Sequence, residues 1–437
     1  MRKENRVSCR NPVFLFYTMT AFHFLDQILY VEDVPIRDIV AQVGTPVYIY
    51  SAQQILENFH QFDQAFQSIP HLTCYAVKAN SNLSLLALLA QAGAGVDIGS
   101  GGELYRALKA GIAPEKITYS GVGKTEQELV EALQAGVQRI NIESSQEFEL
   151  ICKIARELNT PVYLSPRINP DIDAQTHPYI VTGLKENKFG MSVEQARTLC
   201  RHARECSGVH ITGVSMHIGS QMTLLAPLIE ATEVLASFIQ ELRQDGFQIE
   251  TIDLGGGLGI RYHQETAPTP EEYGSALLPI LQPLRCRVIV EPGRAIVGNA
   301  GILVMKVLYT KQNASKYFTI VDAAMTDCIR PALYHAYHEV LPVHQTHDAS
   351  VPMVTADIVG QVCESADFFG KNRQLPQPQP GDLLALFTAG AYGFSMASHY
   401  NSRPNAAEVL VHKGDFRIVR QRETYADLIR GEDIHLL

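Results

Sequence analysis

A (β/α)8 barrel joined to a second, all-β domain is the fold predicted by this 437-residue sequence. Three observations carry the prediction. From Pro46 to Arg294 a short β-branched run, a polar or glycine ending and an amphipathic helical stretch alternate some eight times in about 250 residues. That density of units fits a closed barrel better than a doubly wound open sheet. After Arg294 the helical periods disappear and apolar strands follow one another. An apolar fraction of 46% suits a folded, globular chain with a sizeable core.

Taken in order, residues 1–18 read as an extension upstream of Met19, the natural start. Arg2, Lys3, Arg6 and Arg10 precede the apolar stretch Val13–Leu25, but Thr18, Thr20 and His23 interrupt it and no small-x-small cleavage site follows. Neither an export signal nor a membrane span is expected. The segment LDQILYVEDVPI reads as a strand pair, which assigns 19–45 to the β domain. The barrel is assigned to 46–299. Its runs are PVYIY (46–50), LTCYAVKAN (72–80), AGVDIGS (94–100), KITYSG (116–121), RINIES (139–144), VYLSPRIN (162–169), ITGVSMHIG (211–219), TIDLGGG (251–257) and RVIVEPGR (287–294). Helical stretches such as SLLALLAQAG and EQELVEALQAG lie between them. The β domain resumes over 300–437 with ILVMKVLYTK, YFTIVDA, PMVTADIVGQVCE, DLLALFTAG and AEVLVHKGDFRIV, while QLPQPQPGD (374–382) reads as a proline-rich loop.

Lys and Arg total 36 against 46 Asp and Glu, so the net charge is 36 − 46 = −10. A nucleic-acid backbone binder is disfavoured and a small-molecule ligand is expected. The eight cysteines are scattered without a CxxC pair, which reads as reduced thiols and a cytoplasmic setting.

Strand C-termini face the mouth of a barrel, so Lys78, Asp97, Glu143, Arg167, His217, Gly255–Gly257, Glu291 and Arg294 converge there. Lys78 ends the apolar run YAVK, where desolvation would lower its pKa and make it nucleophilic. The GGGLG run (255–259) lets backbone N–H groups approach an anion, and EPGR (291–294) sets a carboxylate three residues before a guanidinium. Each alone has an ordinary reading: a solvated lysine, a tight turn, a surface ion pair. Together they supply an amine for a Schiff base, a phosphate cup and a carboxylate to keep a pyridine nitrogen protonated, the parts of a pyridoxal 5'-phosphate site. His217 could stack on the ring and Ser220 could donate to the phosphate.

The motifs YAVKAN, GVDIGSGGEL, HPYIVTGLKENKFGM, HIGSQ, DLGGGLGI, EPGRAIVGNAG, IRPALY, CESAD, AYGFSMAS and NSRP, collinear over roughly 20–430, resemble the diaminopimelate decarboxylases, fold type III pyridoxal phosphate enzymes. That resemblance implies Lys78 as the Schiff-base lysine, His217 on the ring and Glu291 at the pyridinium nitrogen. It places the phosphate with Ser220, Gly257, the Pro292–Gly293–Arg294 turn and Tyr392. Arg294, Arg330, Tyr334 and Tyr392 correspond to substrate contacts. Cys363, as proton donor, and Glu364 would come from the partner in a homodimer with shared active sites. Ala366 and Asn405 depart from the family's usual glycine and basic residue, which leaves local loop geometry open.

Charge argues the substrate. Ornithine presents only a cation at its far end, whereas meso-diaminopimelate presents an ammonium and a carboxylate. Arg330 with Arg294 suits the carboxylate and Glu364 the ammonium, so L-lysine and CO2 are the expected products. The rivals are a decarboxylase of ornithine, arginine or a siderophore precursor, a silent homologue, and a racemase, which would want a second base where CES stands. No metal, nucleic acid or membrane enters the expected function.

Overall fold

The computed structural model describes residues 21–435 apart from 175, 176, 178, 179, 181, 185, 315, 347 and 349; the 1–18 extension lies outside the described residues. Three short antiparallel strands open the chain: β1 (Phe22–Leu25), β2 (Ile28–Val31) and β3 (Val34–Pro35). Helix α1 (Ile36–Val43) and strand β4 (Val47–Ser51) follow. Eight parallel strands then form the barrel: β5 (His71–Ala76), β6 (Gly95–Ile98), β7 (Ile117–Tyr119), β8 (Arg139–Ile142), β9 (Val162–Ile168), and, past the side strand β10 (Val209–Ile211), β11 (Gly213–Met216), β12 (Thr251–Asp253) and β13 (Arg287–Val290). Their order is β9-β11-β12-β13-β5-β6-β7-β8, and a β8–β9 pairing in register Ile140↔Leu164 closes the ring. These strands are buried along nearly their whole length, and the polar residues they carry, such as Asn141, Ser165 and Asp253, are buried with them.

The outer helices are α2 (Ala52–Gln64), α3 (Leu83–Gln91), α4 (Gly101–Lys109), α5 (Glu126–Gln134), α6 (Ser145–Leu158), α7 (Val193–Ala203), α8 (Ala226–Gln244) and α9 (Pro270–Leu281). Ser51, Ser100, Thr125, Ser144, Ser192 and Thr269 each accept the backbone N–H three residues on and so start six of these helices; Ser51, Ser100 and Ser144 do so at the end of a strand. Each such cap is worth about 1 kcal/mol.

The second domain is built on the 13-residue strand β14 (Gly301–Asn313). With β15 (Lys316–Val321), β16 (Val340–Pro342), β17 (Met353–Val359), β18 (Phe368–Pro376), β19 (Leu383–Leu386), β20 (Ala407–His412) and β21 (Asp415–Arg420) it forms the order β18-β17-β15-β14-β4-β20-β21, with β19 joining β14 to β16. Phe22, Leu29 and Val31 of the opening sheet share a core with Val47, Ile49, Ile302 and Val304, so the domain draws on both chain ends.

Three expectations change. PVYIY is not a barrel strand: β4 lies between β14 and β20, and only the helix after it, α2, packs with the barrel helices α3 and α9. A strand followed by an amphipathic helix looks the same whichever sheet takes the strand. The proline-rich stretch begins inside β18, whose ladder with β17 runs to Met353↔Pro376. Cys152 on α6 and Cys206 are joined in a disulfide across 54 residues, so not all thiols are free; tertiary proximity brings together cysteines that sequence spacing leaves unrelated.

Candidate active site

The strand ends meet at the barrel mouth in one cavity lined by Lys78, His217, Ser220, Gly257, Glu291, Gly293, Arg294 and Tyr392. Lys78 stands on a single 3-10 turn (Val77–Ala79) directly after β5, with about half of its side chain accessible and its Nζ 2.6 Å from Asp97 Oδ2 at the end of β6. Burial pulls its pKa down, but Asp97, then Glu291 and Tyr392, outweigh that and hold the ammonium above the ordinary lysine value. The 2.6 Å ion pair carries this direction despite the half-open side chain. The expected lowering is therefore reversed by Asp97, which takes a place among the strand-end residues but had no assigned role.

Glu291 follows β13, buried and with Oε1 unpartnered; Asp97 Oδ1 is likewise buried without a partner. Asp253, at the end of β12, accepts from Asn141 Nδ2 (2.8 Å) and Gly255 N–H (2.9 Å). Burial, with Asp97 nearby, pushes its pKa up to about 6. Burial, then Asp253 and Asp97, raises Glu291 well above the carboxylate range. Three buried carboxylates thus gather beside one ammonium and outnumber it. A pyridinium N–H would answer that demand at Glu291.

His217 follows β11. Its Nδ1 accepts the Gly256 N–H at 3.1 Å, which leaves the ring neutral with hydrogen on Nε2. Burial, with Lys78 and Arg167 nearby, pushes its pKa well down. Gly257 has φ +110, and a Cβ there would lie 2.2 Å from Met222 Cε and 2.4 Å from Gly219 O, so only glycine fits this cradle. Arg294 opens a one-turn helix after Pro292–Gly293, donates to Ser220 Oγ (3.0 Å) and lies over the Tyr392 ring (4.8 Å). The Tyr392 N–H is tied to Ala79 O at 2.8 Å, locking the β-domain loop onto the lysine turn. Amine, orphaned carboxylates, glycine cradle and Ser–Arg pair match the needs of pyridoxal phosphate.

Arg330 begins the short helix Arg330–Tyr334, buried, with its guanidinium over the Tyr262 ring at 4.8 Å. Tyr262 Oη accepts from Arg294 Nη1 at 2.8 Å, so the two arginines meet through one phenol. Tyr334 packs edge-on against His177. Cys363 and Glu364 do not line the cavity; Cys363 is an exposed free thiol whose N–H donates to Asn401. Sequence reasoning missed Tyr262 and His338, the latter beside Arg330, because both stand in connections without periodicity; the Arg–Tyr–His composition of GIRYH and IRPALYHAYH was the available signal.

His338 is fully buried, and burial followed by Arg330 lowers its pKa to about 3. The unfolded chain takes up this proton near the ordinary value of 6.5 and the native state does not, so stability is expected to fall as pH drops from about 6.5 toward 3. His338→Gln should flatten that part of the curve in urea titrations at stepped pH. An unchanged slope would mean another group dominates.

The barrel, the β domain and this donor set define an amino-acid decarboxylase that works with pyridoxal phosphate. Residues 52–298 match the model of the pyridoxal-dependent decarboxylase, pyridoxal binding domain. The chain is 48% identical to the diaminopimelate decarboxylase of Vibrio cholerae over 94% of this chain and 97% of that one, and 45% identical to that of Aquifex aeolicus over 92% and 95%. Solved diaminopimelate decarboxylases complexed with L-lysine superpose closely. That of M. jannaschii has a TM-score of 0.91 at 36% identity, covering 95% of this chain and 99% of that one; that of Helicobacter pylori has 0.87 at 43%, covering 90% and 98%. A lysine/ornithine decarboxylase from Vibrio vulnificus, at 22% identity and a TM-score of 0.75, shares the fold. This chain belongs to the diaminopimelate decarboxylase family.

Proposed function

We propose that the protein decarboxylates meso-2,6-diaminopimelate to L-lysine and CO2, the last step of lysine biosynthesis. Pyridoxal phosphate, when bound, supplies the electron sink for the pair of electrons left as CO2 departs. Lys78 is the residue to which it would be joined, and Asp97 accepts the hydrogen bond of its amine at 2.6 Å and orients it. Glu291 keeps a proton on the pyridine nitrogen, which makes its orphaned Oε1 a functional rather than an unfavourable group. The neutral His217 offers a flat, uncharged ring. Ser220, Gly257, the Pro292–Gly293–Arg294 turn and Tyr392 receive the phosphate.

Arg330 carries the choice of substrate. Together with Arg294 across Tyr262 it forms a dicationic wall that suits a carboxylate at the far end of the substrate and repels the bare ammonium of ornithine. Tyr334 on the same short helix would line the far end; two solved relatives hold L-lysine, the product expected here. Losing a charge-assisted fork costs about 2–4 kcal/mol in transition-state binding, roughly 30- to 1000-fold in kcat/KM. Arg330→Ala should lose that much on meso-diaminopimelate, and Arg330→Lys nearly as much. A change under about threefold would turn preference back to ornithine or arginine.

We further propose a homodimer with shared active sites. The exposed Cys363 would serve the neighbouring subunit's site, returning a proton to the carbon that lost CO2, with Glu364 beside it for the distal ammonium. The net charge of −10 speaks against a nucleic-acid partner. Among the described residues no helix is long and apolar enough to cross a membrane. The cytoplasm is the proposed compartment, supported by five free cysteines among the described residues, with the Cys152–Cys206 pair as the observation on the other side.

A further inference from the structure

Arg330 is buried, yet among the described residues it forms no ion pair. Two neutral groups hold it instead. Its Nε donates to His338 Nε2 at 3.4 Å, and its guanidinium lies over the Tyr262 ring at 4.8 Å. The tautomer of His338 follows from its other side: Nδ1 is 2.8 Å from Phe387 O, and a carbonyl only accepts, so Nδ1 carries the hydrogen and Nε2 is free to accept. The two holding groups also brace each other, the Tyr262 and His338 rings meeting edge to face at 5.2 Å. The Tyr262 hydroxyl is taken up by Arg294. With Nε engaged, Arg330 keeps its two Nη groups for a ligand, and a guanidinium already fixed in plane loses little freedom when it binds one.

We propose that Tyr262 and His338 are positioning residues that fix the plane of Arg330 and couple it to Arg294, and so set the preference for ligands bearing a carboxylate at the far end. The proposal rests on the reading above that Arg330 receives that carboxylate. A lysine at 330 could not use this cradle, since it has neither a flat face for the ring nor an Nε donor directed at His338.

The test compares inhibition of the holoenzyme by L-lysine, which keeps the far carboxylate, and by cadaverine, which has none. His338→Leu and Tyr262→Leu should each lower the preference for L-lysine by about tenfold or more and raise KM for meso-diaminopimelate more than they lower kcat. His338→Gln, whose carbonyl oxygen can accept from Nε, should recover most of the preference. Tyr262→Phe should keep the ring's share and lose the hydroxyl's. Visible absorbance of the bound cofactor should be unchanged throughout. If His338→Leu does not fold, His338→Gln and the Tyr262 pair decide. Should the preference stay within about twofold in the folded variants while Arg330→Ala abolishes it, the proposal is overturned and the substrate reading stands. Should Arg330→Ala itself keep the preference, the substrate reading falls and the proposal with it. An equal loss in kcat and cofactor absorbance at constant preference would assign the two residues to stability and also overturn it.

Discussion

Lys78→Ala is expected to slow turnover by at least about 10³-fold, some 4 kcal/mol at 1.36 kcal/mol per decade, and to leave the purified protein colourless where the wild type is yellow. No other lysine lines the cavity among the described residues. The replacement also leaves Asp97, Asp253 and Glu291 without their one ammonium, so the cavity becomes still more acidic and takes up protons. The measurement is a visible spectrum and a single-turnover rate, with folding checked by the far-ultraviolet spectrum. Activity near the wild-type level would remove Lys78 from the chemistry.

Two inactive proteins should make an active one. Lys78 and Cys363 stand in different surroundings within one chain, the first in the barrel cavity and the second exposed after β17 near Asn401. Sites assembled across a two-fold axis would take one residue from each subunit. Equal amounts of Lys78→Ala and Cys363→Ala chains, unfolded and refolded together, would form half heterodimers, each with one intact site, so activity should return to about a quarter of wild type. Each parent alone should show almost none. Heterodimers that form, as seen by differential tagging, but stay inactive would place the whole site within one subunit.

The site was legible where chemistry sits at strand ends. Lys78, Glu291 and the glycines after β12 follow apolar runs, and a barrel turns every such ending toward one mouth. What periodicity cannot show is which sheet a strand joins, and PVYIY was misplaced for that reason. Nor can it show charge acting through space: Asp97 is nineteen residues from Lys78 along the chain and 2.6 Å away in the fold, and this pair reverses the direction in which the lysine titrates. Tyr262 and His338 lay further beyond reach. Their meaning depends on Arg330 and Arg294 arriving from separate parts of the chain, which the Arg–Tyr–His composition around them does not reveal.

Strand β4 imposes an order of events during synthesis. It sits between β14 and β20, so one of its edges waits for a partner 360 residues later, Val47 pairing with Ala407. At 5–20 residues per second a ribosome needs roughly 20 to 70 s to cover that distance. Every barrel strand has been made by then, and the sheet must be finished around a chain whose middle is already folded. The stretch from Ala407 onward therefore decides whether β4 is ever fully paired. A ribosome that stalls before residue 407 releases a barrel tethered to an open edge, the kind of surface on which another unfinished chain can add a strand.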